Sequence, residues 1–235
     1  MLEKRYQIHL QNHYDASSRE VQKKEIKVLQ KHKSKKNGEV FPNQICLENI
    51  MEYSRFMTWF ENEVQKIAKK LWNQHFIIKL TLSQLYFRET ILFLENIKDF
   101  SKRITIEFVG ENIPNNHIKS HFSMQEQEAF FIGKLRMLKK WKFIISKHIE
   151  GCSVEQTLAF TPCIHEIKYM MNQKAKLEEN TIELHMFIDF WEYWAAHKKL
   201  KFVVQVKEGD FITKSLMHKK VHVQFENNSD TQTIL

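Results

Sequence analysis

Three groups of residues have types and spacings that could do chemistry. The first is KKEIKVLQKHKSKK, residues 23 to 36, which carries seven lysines. Such a run attracts phosphates, but it has no arginine for bidentate readout and no aromatic on which a base could stack. A solvated loop following a strand is the plainer reading. The second is the pair His117 and His121 in NNHIKSHF, spaced i, i+4. On a helix that spacing suits zinc, but the glutamate of HExxH is missing and no third ligand is evident. The third is the set Cys46, Cys152 and Cys163, too scattered for a disulfide framework or a CxxC knuckle. The chain has no glycine-rich phosphate loop and no G-x-S-x-G elbow. Its formal net charge of +8 favours acidic partners or nucleic acid, yet charge alone selects neither.

The elements that must position these residues form one unit. A chain of 235 residues with 43% hydrophobic content can bury one core of barrel size, and only five glycines and three prolines leave no linker to divide it. A single domain over 1–235 is expected. No apolar run approaches the length of a membrane span, about 18 residues, and the start MLEKRYQIHL has no apolar region of a signal peptide, so the expected location is cytoplasmic. Eight β-rich runs are predicted as strands: 6–10, 25–30, 76–82, 103–109, 142–147, 165–171, 201–206 and 221–225. Helical periodicity lies between them. Ile50, Phe56, Phe60, Val64, Ile67 and Leu71 predict two helices in succession. Leu85, Leu92 and Ile97 mark another, Phe131, Leu135 and Leu138 a further one, and Ile182, Met186, Phe190, Tyr193 and Trp194 the last. Strands separated by helices pair in parallel, and eight of them predict an α/β barrel of (β/α)8 type. About fourteen polar residues separate the first two strands without helical period, which predicts an antiparallel first strand. On the last helix, Phe187, Phe190, Trp191 and Trp194 read as packing surface. Trp191, Tyr193 and Trp194 cannot all face one way, so an exposed aromatic patch there would be a partner site.

In order and spacing, the chain from Gln11 to about Gln224 resembles the bacterial EAL domain, a TIM-like barrel family whose active members hydrolyse cyclic di-GMP. Lys27-Val28-Leu29-Gln30-Lys31, followed by Gly38 and Pro42, resembles the E-A-L-L-R strand and its loop, with the glutamate replaced by Lys27. Leu80-Thr81-Leu82-Ser83 stands where the family has V-N-L-S, so Thr81 replaces an asparagine. Glu107-Phe108-Val109-Gly110 matches E-x-T-E with the first glutamate kept; Glu111 substitutes for the second only by a one-residue slip. Ser146-Lys147-His148-Ile149-Glu150-Gly151 matches D-D-F-G-T-G with both aspartates lost. Lys168-Tyr169-Met170 keeps the lysine of K-I-D; Val206-Lys207-Glu208-Gly209 loses the first glutamate of E-G-V-E; Val223-Gln224-Phe225 keeps the glutamine of V-Q-G.

The resemblance implies a degenerate, non-catalytic EAL protein. Hard cations need carboxylate oxygens, and the matched positions Lys27, Thr81, Glu107, Ser146, Lys147, Lys168, Val206 and Gln224 supply one carboxylate and three ammonium groups. An ammonium about 4 Å from a metal site repels it by several kcal/mol even at an effective dielectric of 20. No catalytic residue, metal or cofactor is therefore expected, and Lys27, Glu107 and Lys168 are expected to pair where the metals would sit. The likeness to stand-alone EAL-like anti-flagellar-regulator proteins of enteric bacteria implies a protein partner, a transcription factor controlling motility, adhesion or virulence genes. An inactive cyclic di-GMP receptor using Lys168 and Gln224 is the alternative. Direct DNA binding lacks a helix-turn-helix or zinc-finger pattern, and true phosphodiesterase activity would need several ligand positions to be misaligned.

Overall fold

Chain reversal between the first two strands is fixed by one side chain. Asp15 accepts the backbone N–H groups of Ser17 and Ser18 at 3.0 and 2.9 Å and the side-chain amide of Gln22 at 3.0 Å. Arg19 adopts φ 57° in the same turn. These bonds, of the Asx-turn kind, let strands β1 (Tyr6–Asp15) and β2 (Val21–Gln30) pair antiparallel from Tyr6↔Gln30 to Tyr14↔Val21. Both strands are longer than their alternation predicted, and the expected fourteen-residue junction shrinks to a turn. The structure, a computed structural model, describes residues 5–30, 38–39, 50–110, 123–149, 154–171, 181–207, 221–226 and 232–234.

A two-residue strand, β3 (Gly38–Glu39), pairs with the end of β2. From β2 the sheet continues through β4 (Phe76–Leu80), β5 (Ile104–Phe108), β6 (Ile144–His148), β7 (Glu166–Met170), β8 (Lys201–Lys207) and β9 (His222–Glu226), each parallel to the one before. β9 then meets β1 antiparallel at Asp15↔Gln224, which closes an eight-stranded ring. The rest of that edge of β1 is covered by β10 (Gln232–Ile234), with Ile8 opposite Ile234. The barrel, its eight strands and its antiparallel first strand agree with the sequence. Leu82 does not continue β4. Thr81 N–H donates to Gln84 Oε1 at 2.8 Å and opens a 3₁₀ turn, Leu82–Tyr86.

Helices α1 (Ile50–Lys70), α2 (Arg88–Asn96), α3 (Met124–Lys140), α4 (Val154–Phe160) and α5 (Thr181–Lys198) lie between the strands. Where two helices were expected in succession there is one, because no glycine or proline interrupts 50–70 and a single stripe, Tyr53, Phe56, Phe60, Val64 and Ile67, is buried along it. Each such side chain contributes about 1.5–3 kcal/mol of burial. Arg103 ends this helix by donating to the carbonyls of Ala68, Leu71 and Gln74 at 3.0, 3.1 and 3.3 Å. At α3, Ser123 and Glu126 form a capping box, and Phe131, Leu135 and Leu138 are buried as expected.

On α5 the expected face is wrong. Met186, Phe190 and Tyr193 are exposed, while Ile188, Trp191 and Ala195 are buried, and the Ile182 side chain lies outside the described residues. Ile50 and Leu92 also face outward.

Candidate functional site

Strand alternation sorts the barrel's residues into two sets. On β5, Ile104, Ile106 and Phe108 meet the apolar core, while Thr105 and Glu107 point the other way. The register carries that inward row sideways: Lys79 and Ser146 lie beside Glu107, and His148 lies beside Lys168. Glu25 on β2 is level with Ile77, so Lys23, Glu25 and Lys27 also face the interior.

The inward side chains pair charge with charge around the interior. Glu107 is fully buried: Oε1 lies 2.7 Å from His148 Nε2, and Oε2 accepts from Lys168 Nζ at 2.9 Å. Glu25, equally enclosed, meets Lys79 Nζ at 2.9 Å through Oε1 and His13 Nε2 at 2.9 Å through Oε2. Lys79 bridges the two carboxylates, reaching Glu107 at 3.8 Å. Further round, Glu166 pairs with Lys23 at 3.2 Å. Burial alone pushes each carboxyl up. At Glu25 the Lys79 ammonium and the His13 bond outweigh it, and at Glu107 the charges of Lys168 and His148 do so. Both are held well below the ordinary value of 4.5.

The arrangement does not fit a divalent metal ion. All four oxygens of Glu25 and Glu107 are taken by cationic or imidazole partners. A dication placed about 4 Å from one ammonium is repelled by roughly 8 kcal/mol at an effective dielectric of 20.

The positions expected from sequence are dispersed. Glu107 and Lys168 pair as expected, and Lys27 faces the same interior, 4.0 Å from Glu25 on its own strand. Lys147 is no part of the cluster; its register with Phe108 turns it to the outer face. Its place among the interior ammonium groups belongs to Lys79, which sequence reasoning missed together with Glu25 and His148. Thr81 hydrogen-bonds Ser83 at 2.8 Å and caps the 3₁₀ turn. Ser146 faces inward, and its buried hydroxyl has no hydrogen-bond partner among the described residues. Val206 packs on the outer face in register with Phe225, leaving Gln205 inward. Gln224 faces inward and donates to Gln22 at 3.5 Å. Cys163 is a buried free thiol. Lys31, Lys33, Lys35, Lys36, Pro42, Cys46, Glu111, His117, His121, Glu150, Gly151, Cys152, Glu208 and Gly209 lie outside the described residues.

Comparison with known structures follows the barrel closely. The chain superposes on an EAL domain protein from Listeria monocytogenes EGD-e with a TM-score of 0.70 at 15% identity, over 99% of this chain and 90% of that one. It superposes on the PaMucR phosphodiesterase, in complex with c-di-GMP, with a TM-score of 0.72 at 11% identity, over 99% and 93%. For the Bacillus subtilis YkuI protein, which has an EAL domain and was solved with substrate c-di-GMP and calcium, the values are 0.70 and 11%, over 98% and 56%. No protein-family model matches the chain. No curated protein matches it in sequence. The fold is the EAL-type barrel. Among the described residues, no helix is long and apolar enough to cross a membrane.

Proposed function

We propose that the chain, as one domain over 1–235, is a degenerate EAL-type barrel that has lost cyclic di-GMP hydrolysis and regulates by binding another protein in the cytoplasm. The observation that carries this reading is the pairing of both enclosed carboxylates, Glu25 and Glu107, with lysine ammonium groups at 2.9 Å. An interior built this way has replaced the cation of a metal centre with its own cations. What remains is a stable scaffold whose outer surface can carry recognition, since fold alone specifies no activity. The partner class, a transcription factor controlling motility, adhesion or virulence genes, follows from the resemblance to stand-alone EAL-like regulators.

Calorimetric titration with cyclic di-GMP, with and without Mg²⁺ or Mn²⁺, tests the first half, with the mixture then analysed for linear product. The expected result is no product under any metal condition. Turnover would overturn the reading. Micromolar binding without turnover would instead favour the receptor alternative, which draws support from the neighbours solved with c-di-GMP and from Lys27, whose side chain keeps 18% exposure at the edge of the network. A two-hybrid screen against transcription regulators tests the second half.

A further inference from the structure

The opposite end of the barrel is built differently. Between the last turns of α3 and α5 and the segment entering β7 lies a cleft of about 710 Å³, within the range of sites that hold a ligand. Leu158, Ile164, Trp194 and Leu200 form its apolar lining, and Lys139, Lys198 and Lys199 its charged rim. No carboxylate is among the described residues that line it. His165 adds a directed donor: its Nδ1 accepts the Ile145 N–H at 3.1 Å, so the ring proton sits on Nε2. Burial, then the nearby Lys139 charge, pushes this imidazole down, keeping it neutral.

Two further observations bear on the occupant. Lys199 holds φ 58° at the end of α5, where Leu200 N–H donates to Ala195 O at 2.8 Å. That left-handed closing position ordinarily takes glycine, and a lysine there is a less stable choice. From Trp194 an apolar stripe continues along α5 through Phe190 and Met186, each four residues before the last, with 48% and 67% exposure. Beside it Tyr193 is 76% exposed. Isolated exposed apolar residues need no explanation, but a contiguous stripe joined to a cleft marks an interaction surface.

We propose that this cleft and stripe dock an acidic amphipathic segment of a partner protein, its carboxylates on Lys139, Lys198 and Lys199 and its apolar side chains on Trp194, Phe190 and Met186. The proposal rests on the protein-binding reading above and gives it a surface, at the end of the barrel away from the Glu107 network. A nucleic acid would meet the lysines and stack bases on Trp194 and Phe190 as well, so an oligonucleotide of matching charge is the competitor that separates the two occupants.

The test is a display selection of peptides of ~15 residues, about four helical turns, against the full chain. Enriched sequences are expected to join an Asp/Glu cluster to apolar residues at i, i+4. Their affinity is expected to fall at least about tenfold in the double variant Lys198→Glu with Lys199→Glu, and in Trp194→Ala. Lys199→Gly separates binding from folding: it should weaken binding without lowering the melting temperature. Enriched peptides without acidic residues, unchanged affinity in the charge-reversed protein, or equal competition by an oligonucleotide of matching charge would each overturn the proposal. If the reversed protein still binds a regulator found by two-hybrid screening as tightly as the unmodified chain, the surface is wrong while the protein-binding reading stands. If no regulator and no peptide binds the unmodified chain, both fail.

Discussion

Inside the barrel, Lys79 and Lys168 each reach a buried carboxylate at 2.9 Å, whereas Lys198 and Lys199 stand on the rim of a cleft lined by no described carboxylate. The same side chain is used in opposite ways at the two ends. An enclosed ammonium without an acid would lose its proton or unfold its surroundings, so the interior lysines are bound to their partners by the cost of separating them. Those at the rim keep their hydration and their freedom to meet another molecule. Charge in this chain is structural where it is enclosed and available where it is wet.

Breaking the enclosed end should have the largest effect. Glu107→Ala removes the buried carboxylate that Lys168 and His148 share and is expected to cost about 3–5 kcal/mol in urea unfolding. A loss below about 1 kcal/mol would mean that water reaches the pair and that the two ends are alike. Acid probes the same end without mutation. The Glu25 and Glu107 carboxyls are depressed in the folded chain, so the stability they contribute is full above their unfolded value of about 4.3 and is lost as the pH falls below it toward their folded values. Melting temperatures measured from pH 6 down to pH 3 should decline through that window, and Glu107→Gln should flatten the decline. At the wet end, Lys198→Glu with Lys199→Glu should cost less than about 1 kcal/mol, mostly through the lost complement to the α5 dipole. Smallest of all, Lys199→Gly should raise stability by a few tenths to about 1 kcal/mol in the same unfolding assay, because glycine suits the left-handed position.

Legibility in the sequence followed the strength of the local signal. The strands FIIKL, ITIEF and KFVVQV are β-branched and aromatic enough to be read directly, and their order gave the barrel. Glu107 and Lys168 were found through their motifs. Lys79 was legible in principle, as the one charge in an otherwise apolar strand, but only the parallel register shows which charges become neighbours. His148 falls one residue beyond the predicted strand 142–147, when it is in fact the last residue of β6. The α5 face was misread because TIELHMFIDFWEYWAAHK is apolar nearly all round, so its period has no direction until Tyr169 and Phe187 pack at 4.8 Å. The Arg103 cap joins residues about thirty positions apart and leaves no local trace.

The edge of β1 that is shared by β9 and β10 also sets an order of events in time. Asp15 pairs with Gln224 and Ile8 with Ile234, so β1 is sealed by strands made about two hundred residues after it. At typical ribosomal speeds the β1–β2 hairpin must persist for roughly 10 to 40 seconds with one hydrogen-bonding edge open before that seal can form. Through that interval the nascent chain presents an unpaired strand to whatever surrounds it, a window in which a chaperone has an edge to hold and another nascent copy has one to invade.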